Sequence, residues 1–71
     1  MFNLSDEQKA ELGLKLATKR QEHSDLDAAI HMLEQVPGAD RMMIQRLKKK
    51  KLRLKDEITR LEDYVMPDII A

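Results

Sequence analysis

One helix breaker, Val36-Pro37-Gly38-Ala39, divides a 71-residue chain in which apolar residues otherwise recur at helical spacing. Pro37 disfavours helical geometry at Val36, and Gly38 can turn the chain sharply. Upstream, alternating steps of four and three give Leu12, Leu16, Lys19, His23, Leu26, Ile30 and Leu33. Downstream, steps of three and four give Ile44, Leu47, Lys51, Leu54, Ile58, Leu61 and Val65. Both series are heptad seams with polar interruptions. A connection of about four residues makes two such helices antiparallel neighbours. The predicted fold is all-α, a coiled-coil-like antiparallel two-helix hairpin.

Local signals set the boundaries: a tail at 1–4, a helix at 5–35, a turn at 36–39, a helix at 40–66 and a tail at 67–71. Ser5-Asp6-Glu7-Gln8 has the form of a capping box, with acids at the positive end of the helix dipole. Asp40 can cap the second helix, and Pro67 is predicted to end it near Met66. Gly13 lies inside the first helix and weakens it by about 1 kcal/mol relative to alanine.

Folding the chain at the turn with Leu33 opposite Ile44 zips the seams end to end. Ile30 then meets Leu47, Leu26 meets Lys51, His23 meets Leu54, Lys19 meets Ile58, Leu16 meets Leu61 and Leu12 meets Val65. Each pair joins an a position to a d position, as antiparallel packing requires. Charge supports the register. Arg41 to Lys55 holds eight basic residues and no acid, and the facing stretch Glu22 to Glu34 holds four acids and no lysine or arginine. Glu34–Arg41 and Asp27–Lys48 are the predicted flanking ion pairs, each contributing about 0.2–1 kcal/mol if exposed. The same register sets Arg20 near Lys55 and Glu22 near Glu57, two repulsive pairs for which it offers no remedy.

Composition narrows the function. There is no cysteine, which removes disulfides, thiolate metal sites and thiol nucleophiles. Charged residues make up 37% and apolar residues 42%, and their regular spacing favours long helices over disorder. A formal net charge of zero gives no global attraction to nucleic acid or an anionic membrane. No apolar run approaches the roughly 20 residues that span a bilayer, and Met1 to Glu7 lacks a signal-peptide pattern. The expectation is a cytoplasmic protein with no membrane association.

The string Leu47-Lys48-Lys49-Lys50-Lys51-Leu52-Arg53-Leu54-Lys55-Asp56-Glu57-Ile58 resembles the YdcH-like family of small bacterial proteins, a domain of unknown function. Glu22-His23-Ser24-Asp25-Leu26-Asp27-Ala28-Ala29-Ile30 resembles that family's first helix, in which a histidine precedes a leucine and an acid. The resemblance covers roughly residues 20 to 62. It implies a helical hairpin and no established activity, substrate or cofactor.

Few residues offer chemistry. Lys19, His23 and Lys51 interrupt the seams. His23 can be read as a pH switch or as a tolerated seam residue packed on Leu54 while the lysine stems snorkel outward. The second reading is preferred, and polar seam residues can also fix register or oligomer state. His23 and His31 lie about 12 Å apart along a helix axis, too far to share a metal, and no histidine–carboxylate cluster has zinc spacing. No nucleophile motif or phosphate loop is present, so the chain is expected to be no enzyme and to need no cofactor. Lys48, Lys49, Lys50, Arg53 and Lys55, extended by Arg46 and Arg60 at heptad spacing, form a candidate basic patch for nucleic acid. Against it stand the facing acids and the scarcity of aromatics for base stacking. Leu14, Met32, Met42 and Leu52 fall off the seams as candidate assembly contacts. Because a two-helix hairpin buries little, pairing of two copies into a four-helix bundle is expected. Met42, Met43 and Met66 are adaptable contact residues. The leading expectation is an interaction or adaptor module with an unidentified protein partner, and the alternative is a nucleic-acid-associated protein.

Overall fold

The computed structural model describes residues 5–65. Two helices, α1 (Asp6–Glu34) and α2 (Arg41–Val65), pack side by side as an antiparallel hairpin. The described residues extend over 51 × 22 × 17 Å. That cross-section is two helix diameters by one and a half. No helix among them is long and apolar enough to cross a membrane.

Each helix begins on a side-chain cap. The Ser5 Oγ accepts from the Gln8 amide at 3.1 Å, and the Gln8 side chain accepts from the Ser5 amide at 2.9 Å. This reciprocal pair satisfies two donors that the first turn leaves unbonded. Asp40 Oδ1 accepts from the amides of Met42 at 2.9 Å and Met43 at 3.3 Å, doing the same for α2. Both cap residues sit just outside the helices they start. Pro67, Met66 and the two tails lie outside the described residues.

Chain reversal occupies Val36 to Ala39. The Ala39 amide donates to the Val36 carbonyl at 3.2 Å, and Gly38 has φ +77°. Proline followed by a left-handed glycine across an i to i+3 hydrogen bond is the arrangement of a type II turn. Only glycine adopts that φ without strain.

Packing follows the predicted seams. Leu16, Ile30, Leu54 and Ile58 are buried, and every other member of the two series is half-buried. No other side chain among the described residues is buried. The core is one row of side chains deep, which is all that two helices can enclose.

Candidate functional site

The seam has two borders, and they are chemically unlike. One border carries Arg20, Asp27 and Glu34 on α1 against Arg41, Lys48, Lys55 and Glu62 on α2, at heptad spacing on both helices. Arg20 donates to Glu62 at 2.7 Å, and Lys48 donates to Glu34 at 2.9 Å. Lys51, from the seam itself, donates to Asp27 on the same border at 2.7 Å.

These partners correct the predicted flanking pairs. Glu34 takes Lys48 in place of Arg41, and Asp27 takes Lys51 in place of Lys48. The cause is the tilt of Cα–Cβ bonds toward each helix's own N-terminus. In an antiparallel pair, side chains on α1 therefore lean away from the turn while those on α2 lean toward it. Charged groups meet across the border when the α2 residue lies further from the turn. The same lean removes one of the two repulsive pairs, because Arg20 reaches past Lys55 to Glu62. The other is relieved by a different route: Glu57 pairs with the seam residue Lys19, almost level with it, at 2.8 Å.

Lys19 and Lys51 keep half-buried stems on the seam while their ammonium groups reach flanking carboxylates. The hydrogen bond from Lys51, reinforced by its charge, holds the Asp27 carboxyl below the ordinary range. The hydrogen bond from Lys19, again with its charge, does the same to Glu57. Its hydrogen bond to Glu57 raises Lys19 against the opposing effect of desolvation. His23 is half-buried on the seam. Its ring makes no hydrogen bond or ion pair among the described residues.

The other border has a different make-up. Its heptad positions are Lys15, Glu22, Ala29 and the turn residue Val36 on one side, and Met43, Lys50, Glu57 and Tyr64 on the other. Lys19–Glu57 is an ion pair on this border, near the open end of the hairpin. Toward the turn, Met32, Val36 and Met43 stand exposed at 71%, 52% and 47%. Along α2 the same side continues as Arg46, Lys50 and Arg53.

The predicted site residues therefore separate. Of the basic patch, Lys48 is tied to Glu34, while Arg46, Lys49, Lys50, Arg53 and Lys55 are in no ion pair among the described residues. Leu14, Met32, Met42 and Leu52 are all exposed, but they do not form one surface. Leu14 is near the open end of α1, and Met42 and Leu52 face outward from different sides of α2. Met32 lies one turn before the exposed Val36, and Met42 is the chain neighbour of the exposed Met43. Val36 and Ala29, which share the side of Met32, were not picked out from the sequence. Reading the two borders separately would have found them: one is charged at every position from Arg20 onward, and the other carries alanine, valine, methionine and tyrosine.

Concavities are shallow and open to solvent, as in the groove lined by Glu34, Arg41, Ile44, Gln45 and Lys48. No group of three or more metal-ligating side chains occurs among the described residues. No polar or charged side chain among them is buried, so none has the desolvated setting that shifts a pKa far enough for acid–base chemistry.

A family model described as a protein of unknown function, DUF465, matches residues 16–62, more than half of the chain. The chain belongs to this family. The DUF465 segment includes both strings that carry the YdcH-like resemblance. It also holds all four buried side chains and all four ion pairs named above. The Ser5 capping box lies outside it. No curated protein and no solved structure matches the chain.

Proposed function

We propose that this protein is a non-catalytic interaction module of the cytoplasm that presents one side of a rigid helical hairpin to a protein partner. The observation that carries this reading is the contrast between the two borders. One border is closed by Arg20–Glu62, Glu34–Lys48 and Asp27–Lys51. The other leaves Met32, Val36 and Met43 exposed beside Arg46, Lys50 and Arg53, which form no ion pair among the described residues. Exposed apolar residues grouped within a polar rim are the usual mark of a contact surface, whereas scattered ones need no explanation. The absence of buried polar side chains among the described residues favours binding over catalysis. The test is affinity purification of the full chain from its native host with chemical cross-linking. Cross-links from a partner to Lys49 or Lys50 support the reading, and recovery of the protein alone counts against it.

Self-association is a companion proposal that does not use this border. Four buried side chains among the described residues make a thin core for an independent fold, and pairing hairpins into a four-helix bundle is a common remedy. Sedimentation across a wide concentration range tests it, and a monomer throughout removes it.

A second reading, binding to nucleic acid, draws on Arg46, Lys49, Lys50, Arg53 and Lys55, which carry no intramolecular ion pair among the described residues. Phosphate contact requires clustered cations and little else. Titration of a generic duplex against salt separates the two readings. Steep loss of affinity with salt favours nucleic acid, and no binding at low salt eliminates it.

A further inference from the structure

The open border has a definite chemistry near the turn, and it narrows what can cover it. The half-buried seam residues Leu26, Leu33 and Leu47 run beside it at heptad spacing. On the α1 side it carries Ala29, Met32 and the turn residue Val36. On the α2 side it carries Met43, Arg46 and Lys50, with Arg53 one turn further along α2. Met32, Val36 and Met43 are exposed, and Arg46, Lys50 and Arg53 form no ion pair among the described residues. On the opposite border the equivalent lysine, Lys48, is neutralised by Glu34.

We infer that this border is a docking site for an amphipathic helical segment of another protein, with apolar residues on one stripe and acidic residues beside it. The inference rests on the interaction reading above and names its partner chemistry. Charge decides the occupant. A second copy docked on the same face about a two-fold axis perpendicular to the helices would set Arg46, Lys50 and Arg53 against the same cluster, and like charges at such distances oppose association. A duplex would satisfy the cations and leave Met32, Val36 and Met43 facing phosphates, with no gain from their burial. An acidic amphipathic helix uses both halves of the surface, laying leucine-type anchors along the border while its glutamates meet the α2 cations. Methionines suit such a role because their unbranched side chains adapt to a partner's shape.

The experiment uses the full chain with ¹³C-methyl-labelled methionine and three probes: a designed helix with leucines at i, i+3 and i+7 and flanking glutamates, the same helix with lysines replacing the glutamates, and poly-glutamate. The acidic amphipathic helix is expected to shift the Met32 and Met43 methyl resonances more than that of Met42. Met43→Lys and Arg53→Glu are each expected to weaken that binding by about tenfold. Circular dichroism checks that both exposed-site variants keep the fold. Equal binding of poly-glutamate, stronger binding of the lysine helix, or no methyl shift with any probe overturns the proposal. So does concentration-dependent self-association that Met43→Lys abolishes, since that makes a second copy the occupant, and so does a generic duplex that shifts the same methyls. The two levels of the argument fail separately. A native partner still captured by Met43→Lys and Arg53→Glu sinks the docking site and spares the interaction reading. No native partner at all sinks that reading.

Discussion

Arg20 on α1 donates to Glu62 on α2 at 2.7 Å, although Glu62 lies more than a helical turn beyond the residue level with Arg20. The offset recurs in Glu34–Lys48 and follows from side chains that lean toward the N-terminus of each helix. It turns a row of mismatched charges into a ladder along one border. Arg20→Glu is therefore expected to destabilise the hairpin by about 0.2–1 kcal/mol. The swap Arg20→Glu with Glu62→Arg should restore most of the loss. A double-mutant cycle by urea denaturation measures the coupling, and a value of zero would mean that the pair contributes nothing in solution.

Lys51 is a seam residue that keeps its charge outside, on Asp27. Lys51→Leu removes that ion pair and extends the apolar row between Leu47 and Leu54. Burial of added apolar area outweighs a surface pair of this kind, so the melting temperature should rise by a few degrees. A clear fall would place Lys51 off the seam.

Gly13 has free space around it. A β-carbon there meets nothing within 4 Å, so Gly13→Ala should stabilise α1 by about 0.5–1 kcal/mol through helix propensity alone. Gly38→Ala should do the reverse by about 1 kcal/mol, because φ +77° strains any residue with a β-carbon. Thermal melts of the two variants should move in opposite directions.

Stability should depend on pH at both extremes. Asp27 and Glu57 have carboxyl pKa values lowered by hydrogen bonds from Lys51 and Lys19. Their contribution is complete above the unfolded carboxylate values of about 4 and is lost as pH falls through the lower folded values. Lys19 is raised by Glu57. Its contribution is complete below about 10.4, the unfolded lysine value, and is lost as pH rises through the higher folded one. Melting temperature against pH should show a plateau between these limits, and Glu57→Gln should shrink the fall on both sides. An unchanged profile in that variant would show that the pair is not formed.

The hairpin was legible in the sequence because two physical signals agree at every position. The heptad series names residues that are all buried or half-buried in the structure, from Leu12 to Leu33 and from Ile44 to Val65, and Pro37-Gly38 marks the reversal. The ion pairs were not legible in detail. Counting residues across a register locates Cα atoms, whereas Glu34 and Lys48 meet through long side chains tilted in opposite directions. The proposed contact surface was half legible. Exposure of Leu14, Met32, Met42 and Leu52 follows from their distance from the seam. Neighbourhood depends on which border a residue joins, and that is what groups Met32 with Val36 and Met43.

Everything about the two borders depends on α1 and α2 lying antiparallel in the stated register. Spin labels at Ala17 and Thr59, exposed positions near the same level of the hairpin, measure this directly by pulsed electron resonance. The account predicts one narrow, short distance, governed by the axis separation of about 8–10 Å for packed helices plus the label arms. A distance near 60 Å, that of about 40 residues of continuous helix, or a broad distribution would contradict it.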